Sequence, residues 1–149
     1  MSKADEQTRL YFRMFNEIGI INQLSTNKLA RVLPHGLSVA QFSLLNHLVR
    51  LGGAWAPSRL ARAFQVTKGA MTNTLQRLDA QGLIRIVPDP TDARGKLVEI
   101  TESGRRMRER CVRATGEVMA DIVRLIPADD VRTMIPLLEH LRKTLDDNR

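Results

Sequence analysis

The pattern that most restricts the fold of this chain lies between residues 57 and 83. P-S-R-L-A-R-A-F predicts about two helical turns beginning at Pro57, since proline is tolerated in the first turn of a helix. After a tight turn, T-K-G-A-M-T-N-T-L-Q-R-L-D-A-Q-G-L predicts a second helix, with Thr67 as its N-cap and Gly82 as the left-handed residue that ends it. A short helix, a tight turn and a second helix therefore form the centre of the predicted fold.

The second of these helices has one apolar side and a thin polar side. Met71, Leu75 and Leu78 fall within a narrow arc and are predicted to face the core. The opposite side carries the small and polar residues Gly69, Asn73, Gln76 and Ala80. It is flanked by Thr72 and by two cations, Lys68 and Arg77. Amides and hydroxyls can pair with base edges in the major groove of DNA, and cations can hold phosphates. A solvated surface helix is the alternative, but such helices usually carry more than the single acidic residue, Asp79, found here.

The net charge of the chain favours an acidic partner. The formal net charge is +7, and residues 57–106 contain nine Lys and Arg against five Asp and Glu, whereas residues 107–149 contain eight of each. Because no basic amphipathic surface helix stands out, nucleic acid is favoured over a membrane as the partner. No apolar run approaches the ~20 residues of a membrane span, and no signal peptide is recognisable, so a cytoplasmic protein is expected.

A predicted β-hairpin follows the helix pair directly. L-I-R-I-V and K-L-V-E-I alternate as strands do, and the charged stretch that begins P-D-P-T-D-A-R-G-K joins them as a loop. This loop either connects two strands without a further role or presents Arg94 and Lys96 to a negatively charged partner. Its position immediately beyond the second helix favours the second interpretation.

Helices are also predicted at both ends of the chain. Residues 5–33 have helical periodicity that Pro34 and Gly36 end, and Ser38 is predicted to cap the next helix. A long C-terminal helix carries one apolar stripe, made of Met107, Cys111, Ala114, Val118, Ile122 and Leu125. A last helix follows Pro127. A two-stranded sheet cannot cover the apolar faces of all these helices. They must pack on each other, on a second copy of the chain, or both, and a homodimer is the simplest solution.

Two segments carry a family resemblance. T-K-G-A-M-T-N-T-L-Q-R-L-D-A-Q-G-L-I-R and D-P-T-D-A-R-G-K-L-V-E-I-T-E-S-G resemble the multiple antibiotic resistance regulator (MarR) family of winged helix-turn-helix transcription factors, and the likeness extends over nearly the whole chain. It implies a mainly α fold with a two-stranded β-wing and one domain over residues 1–149. Within that domain, residues 37–101 would be the DNA-binding lobe, and residues 1–36 and 102–149 the helices of a homodimerisation region.

The resemblance also implies the DNA-binding residues. Those expected near the bases or at the groove edge are Thr67, Lys68, Thr72, Asn73 and Gln76. Gly69 is added from the helix pattern, because its small size lets the helix come close to the DNA. Those expected to contact phosphates are Ser38, Ser58, Arg59 and Arg77. In the wing, Arg94 would enter the minor groove, Asp92 would orient it, and Lys96 would lie near the phosphates. Ala93 departs from the family pattern, because many members have a second basic residue there, and Pro88 replaces a residue that is more often polar or basic.

The function implied is regulation of transcription by an obligate dimer bound to double-stranded DNA at a pseudo-palindromic operator. We expect repression, relieved when a small-molecule effector binds between the dimer scaffold and the DNA-binding lobes. Five side chains could line a pocket for it: Phe12, Phe15, His35, His47 and Trp55. Packing in the core or at an interface is favoured for each of them, so no ligand-binding residue is assigned. An architectural DNA-binding protein without an effector is the alternative, and it shares every DNA-binding residue.

Cys111 and the histidines offer competing functions. Cys111 could sense oxidants, but its place in an apolar stripe favours a buried structural thiol. His35, His47 and His140 are far apart and form no metal-ligand spacing with the cysteine, and the sequence has no phosphate-binding glycine loop or nucleophile signature. We therefore expect neither an enzyme nor a cofactor or metal site.

Overall fold

The computed structural model describes residues 2–148, which form six α-helices, a 3-10 turn and one antiparallel pair of strands. In chain order they are α1 (Lys3–Val32), the turn Pro34–Gly36, α2 (Val39–Leu51), α3 (Pro57–Ala63), α4 (Lys68–Ala80), β1 (Ile84–Asp89), β2 (Asp92–Ile100), α5 (Glu102–Leu125) and α6 (Ala128–Asp147). The mainly α fold with a two-stranded wing is confirmed.

The helix ends lie where the sequence places their capping residues. Ser38 accepts a hydrogen bond from the backbone N–H of Gln41 at 3.1 Å, and Gln41 Oε1 accepts one from the N–H of Ser38 at 2.9 Å, so that both ends of this capping box are made. Thr67 caps α4 by accepting from the N–H of Ala70 at 3.1 Å. Gly82, with a φ of 68°, takes the left-handed conformation expected after α4.

One hydrophobic core joins α2, α3, α4, the hairpin and the first half of α5. Its largest fully buried side chains are Leu44, Leu45, Leu48, Leu60, Leu78, Ile84, Val98 and Cys111. Met71 and Leu75 are 4% and 3% exposed, so the inward stripe predicted for α4 is confirmed. The core fixes which side of α4 remains available to a partner.

The hairpin differs from its prediction because its strands are longer. The charged stretch predicted as a loop is mostly strand, with Pro88 paired to Lys96 and Asp89 to Asp92 around a register irregularity. Asp89 closes the turn, because its Oδ1 accepts from both the backbone N–H and the hydroxyl of Thr91, at 2.8 and 2.7 Å. These two hydrogen bonds also hold the pKa of the Asp89 carboxyl below its usual value.

Trp55 pairs with β2 on the edge that faces away from β1. Its backbone N–H donates to the Val98 carbonyl at 3.0 Å, and the Val98 N–H donates to the Trp55 carbonyl at 2.8 Å. This bridge attaches the segment before α3 to the middle of β2. The position of the wing relative to α3 is thereby fixed by backbone hydrogen bonds.

Thr101 and Gly104 join the base of the hairpin to α5. The Thr101 hydroxyl donates to the Gly82 carbonyl at 2.6 Å and accepts from the Gly104 N–H at 3.0 Å. Further along α5, the Arg108 guanidinium donates from Nε and Nη2 to Asn46 Oδ1 on α2, at 3.1 and 3.0 Å. Polar contacts thus connect the first half of α5 to the end of α4 and to α2.

The terminal helices expose much of their apolar surface. On α1, the exposed fractions of Leu10 and Phe12 are 65% and 73%, and on α5 that of Val123 is 74%. The chain divides after Ala114, within α5, into two compact units, of which the second holds the end of α5 and α6. Within residues 2–148, no helix is long and apolar enough to cross a membrane.

Candidate nucleic-acid interface

Helix α4 presents each of its own predicted DNA-contacting residues to the exterior. Its buried side is Met71, Leu75 and Leu78. All of the following are exposed: Lys68, Gly69, Thr72, Asn73, Gln76 and Arg77, together with the N-cap Thr67. We call Gly69, Asn73, Gln76 and Ala80 the reading face, because they lie at helical spacing opposite the buried stripe. This face carries no charge of its own, and cations lie only at its margins.

A strained turn sets the angle between α3 and α4. Gln65 has a φ of 56°, a left-handed conformation that costs a residue with a Cβ roughly 1–2 kcal/mol. The turn is secured by the backbone, where the N–H of Gln65 donates to the Arg62 carbonyl at 3.2 Å and that of Val66 to the Ala61 carbonyl at 3.0 Å. The sequence pattern does not reveal this conformation, because glycine or asparagine is the usual residue at such a position.

The wing and the start of α4 border one groove of about 400 Å³, the wing groove. Its lining residues are Ala56, Pro57, Ser58, Lys68, Thr72, Asp89, Asp92, Arg94, Gly95 and Lys96. Six residues predicted to contact DNA therefore line one space, although they come from α3, α4 and β2. Three cations against two carboxylates leave it with a positive excess.

The side chain of Asp92 forms a hydrogen bond with the backbone of the wing. Its Oδ1 accepts from the backbone N–H of Arg94 at 3.0 Å. The contact fixes the strand at Arg94 and leaves the guanidinium to other partners. Asp92 contacts the backbone of Arg94 rather than its guanidinium, and the orienting role that the resemblance implies for Asp92 stays a prediction.

Arg59, another predicted phosphate contact, stacks on an aromatic ring. Its guanidinium carbon lies 4.4 Å from the centroid of the Trp55 ring. The Trp55 ring is itself held, since its Nε1–H donates to the Gly52 carbonyl at 2.8 Å. From the sequence, Trp55 is expected either to line a pocket or to pack in the core or at an interface, and no link to Arg59 is predicted. Its role in placing Arg59 depends on the Val98 bridge, which leaves no local sequence signal.

Ser38 and Arg77 lie outside the wing groove. The Ser38 hydroxyl caps α2 and is exposed at the start of that helix. Arg77 lies on α4 and donates from Nε to Asn73 Oδ1 at 3.3 Å. The side chains of Ser38 and Arg77 remain accessible to a partner. The contact made by Arg77 involves Asn73, a residue of the reading face.

The five side chains considered for an effector pocket fall into separate places. His47 meets the Trp55 ring edge-on at 4.6 Å and the Phe64 ring at 5.1 Å. Burial, assisted by the charge of Arg50, lowers the pKa of His47. Phe12 and Phe15 are 73% and 45% exposed on α1, and His35 is exposed in the 3-10 turn. The packing favoured from the sequence therefore describes His47 and Trp55.

Cys111 is a fully buried thiol in the core, as predicted. Burial raises its pKa, and Arg110 offsets only part of that change. A protonated thiol without solvent access reacts slowly with oxidants, so the geometry is that of a structural residue. Within residues 2–148, no group of three or more His, Cys, Asp or Glu side chains could hold a metal ion.

A recognition helix aimed by a tight turn, beside a basic two-stranded wing, defines a winged helix-turn-helix DNA-binding protein. The sequence model of the MarR family matches residues 35–95, which span the lobe from the 3-10 turn to β2. Over 137 residues the chain is 31% identical to the multiple antibiotic resistance protein MarR of Salmonella typhimurium, covering 86% of this chain and 94% of that protein. The chain belongs to the MarR family of transcriptional regulators, and it is a regulator rather than an enzyme.

Two further similarities come from a second bacterial regulator and a solved structure. The transcriptional activatory protein BadR of Rhodopseudomonas palustris is 27% identical, with 98% of this chain and 82% of that protein covered. A mutant of Escherichia coli MarR complexed with operator DNA superposes with a TM-score of 0.76 at 30% identity, over 87% of this chain and 93% of that one.

Proposed function

We propose that this chain binds a pseudo-palindromic operator in double-stranded DNA as a homodimer and represses transcription from it, until a small-molecule effector releases it. One observation carries the proposal: the start of α4 and the cationic side of the wing border a single groove. A duplex following that groove would meet α4 in its major groove and Arg94 in its minor groove. Operator binding is supported by the similar E. coli MarR, a mutant of which is solved in complex with operator DNA.

The interface side chains divide into two chemical groups. Thr72, Asn73 and Gln76 carry hydroxyls and amides that can donate to base edges and accept from them. The cations Arg59, Lys68 and Arg77 lie at the margins of α3 and α4, where they suit phosphates. Gly69 and Ala80 add no bulk to the reading face and therefore allow a close approach. This division between base reading and backbone contact favours a sequence-specific site.

The exposed apolar surface of the terminal helices supports a homodimer. No residue of α1 or α6 is buried within the described chain, although both helices carry large apolar side chains. On α6, the exposed fraction of Leu137 is 67% and that of Leu145 is 52%. Exposed apolar surface of this kind marks an interaction site. A two-fold dimer would place two copies of α4 about one helical turn of DNA, roughly 34–36 Å, apart.

Repression is the outcome that requires the fewest contacts. Occupation of a promoter needs only the DNA interface, whereas activation also needs a surface for the transcription machinery. A similar protein is named a transcriptional activatory protein, so the outcome has to be tested on the chain itself. Release by an effector is proposed because two half-sites must be engaged together. A ligand that changes the spacing of the two lobes would therefore weaken both contacts.

Selection from fragmented genomic DNA tests the proposal most directly. The expected motif is an inverted repeat whose half-site centres lie about 10 base pairs apart. Sedimentation of the protein alone should give a dimer, and transcription from the selected promoter should fall when the protein is added. A selected motif without inverted symmetry, or a monomer on the operator, would contradict the proposal. Thermal-shift screening with aromatic acids and metabolites, followed by measurement of DNA release, tests the effector step.

A further inference from the structure

On α4, Asn73 of the reading face is joined to Arg77 at its margin in the absence of DNA. Arg77 Nε donates to Asn73 Oδ1 across one turn of the helix at 3.3 Å. Both residues are exposed, so the contact contributes little to the core and lies where a duplex would dock. This pair affects which base Asn73 can contact, an inference that rests on the proposed operator binding.

The chemistry of the pair fixes the orientation of the Asn73 amide. A guanidinium N–H can only donate, so its partner must be the oxygen of the carboxamide rather than the nitrogen. The Oδ1 atom is therefore turned towards Arg77, and the two N–H groups of Nδ2 remain for another partner. A guanidinium has five N–H groups, and this contact uses the one on Nε. The terminal nitrogens of Arg77 are thus left for a phosphate.

An unconstrained asparagine fits adenine best, because its oxygen accepts from adenine N6 while its nitrogen donates to N7. On this helix, the adenine amino group would have to share Oδ1 with a cationic donor. Guanine presents two acceptors in the major groove, O6 and N7, and requires nothing from the oxygen. Nδ2 can donate to O6 or N7 without any contribution from the Asn73 oxygen.

We infer that Arg77 sets the base preference of Asn73: by engaging Oδ1 it turns Asn73 into a donor that favours guanine over adenine, while its terminal nitrogens hold the adjoining phosphate. Arg77 is thus a positioning residue for base reading as well as a backbone contact. Arg77 would therefore both fix the position of α4 along the phosphates and influence which base Asn73 contacts in each half-site.

The pair itself can be tested without DNA. In ¹⁵N NMR spectra of the full-length chain, the Arg77 Nε–H resonance should move when Asn73 is replaced in Asn73→Ala. Gln76→Ala is the matched control, because Gln76 lies on the same face and is not the acceptor of Arg77. An Arg77 resonance that ignores Asn73→Ala, or that responds equally to both variants, overturns the inference whether or not the protein binds an operator.

Base preference is tested on the selected operator, with each of the four base pairs placed at the position where Asn73→Ala loses discrimination. Wild type should prefer guanine to adenine there by roughly 5- to 150-fold, the range of one good base contact. Arg77→Met should reduce or reverse this ratio. Lys68→Met, which removes a cation from the same helix, should weaken binding to all sequences equally and leave the ratio unchanged.

The possible failures are distinguishable. All of these side chains are exposed, so the unfolding midpoints of the variants should match that of wild type. A wild-type protein that selects no inverted repeat refutes the proposed function. An inverted repeat whose guanine-to-adenine ratio is the same in wild type and Arg77→Met refutes the inference alone, as does a wild-type preference for adenine at that position.

Discussion

The guanidinium of Arg59 stacks on the ring of Trp55, with its central carbon 4.4 Å from the ring centroid. Trp55 is anchored by its backbone bridge to Val98 and by the hydrogen bond from its indole to Gly52. Arg59 therefore takes its position from the same strand that carries the wing. A duplex that touches the wing and α3 together would meet a cation whose direction is already set.

Replacement of Arg59 should reduce DNA affinity without changing sequence preference. In Arg59→Ala, operator and random DNA should lose affinity by the same factor. The slope of log K against log salt should become shallower by about 1.8, because the dimer loses one phosphate contact, worth about 0.9, from each of its two lobes. Titrations at several salt concentrations measure both quantities. Arg85→Ala is the control, because Arg85 is paired with Glu99 at 2.8 Å and lies outside the wing groove.

Gly104 should not tolerate a methyl group. A Cβ there would lie 2.0 Å from the carbonyl oxygen of Leu83 and 2.7 Å from Ile100 Cγ1, so the backbone at the base of the hairpin would have to move. Gly104→Ala is expected to lower the free energy of unfolding by about 3 kcal/mol, the upper end of the usual cost of overpacking. Ser103→Ala, at an exposed position one residue earlier, should stay within about 0.5 kcal/mol of wild type. Denaturant unfolding of both variants decides between close packing and a tolerant site.

The glycine of the I-T-E-S-G motif illustrates how much of this molecule the sequence predicts. Helix caps such as Ser38 and Thr67, and the buried stripe of α4, follow from neighbouring residues and were predicted correctly. The motif carrying Gly104 was recognised by family resemblance, but its physical reason is a contact with Leu83 that only the folded chain brings about. The same is true of the Trp55 bridge to Val98 and of the Asn46 to Arg108 contact between residues 62 positions apart.

The candidate interface was predictable to the same extent. The outward side of α4 follows from helical periodicity, because the apolar residues define the buried side. The longer strands of the wing were missed, since they depend on the side chain of Asp89 closing the turn onto Thr91. The Arg77 contact with Asn73 has i to i+4 spacing that the sequence shows, but spacing alone does not say that the two side chains meet.

His47 should make the stability of the lobe depend on pH. Burial, and then the charge of Arg50, lower its pKa from the ordinary value of 6.5, and its Nε2 atom is buried without a hydrogen-bond partner among the described residues. The unfolded chain therefore takes up a proton more readily than the folded chain. Stability should be fully present above pH 6.5 and fall as the pH is lowered through that value towards the folded-state pKa.

Chemical unfolding at a series of pH values between about 5 and 8 measures this dependence. His47→Gln should flatten the curve over that interval, because the residue that binds the proton differently in the two states is gone. His35→Asn is the control: His35 is exposed and has a φ of 55°, which asparagine tolerates. A curve that is equally steep in wild type and His47→Gln would assign the dependence to other groups.

Cys111 should be inert in the folded protein. Its side chain is fully buried and burial raises its pKa, so the thiolate that reacts with disulfide reagents is scarce and inaccessible. Labelling by a thiol reagent should be slow under native conditions and should accelerate when denaturant unfolds the chain. Peroxide should leave operator binding unchanged in wild type. Loss of binding that Cys111→Ala prevents would instead make this residue a redox sensor.

Arg94 provides the most direct test of the wing. It lies in β2 beside the wing groove, and Asp92 holds its backbone N–H at 3.0 Å, so the side chain starts from a fixed point. In Arg94→Ala, affinity for the operator should fall by roughly 1–3 kcal/mol per half-site, because a contact reaching the floor of the minor groove is lost. The loss should exceed that of Lys96→Ala, whose side chain lines the same groove from the return strand and is expected near the phosphates. Footprinting adds a positional readout, since only Arg94→Ala should unprotect the minor groove outside the two half-sites. Equal losses in the two variants would show that Arg94 acts through charge alone.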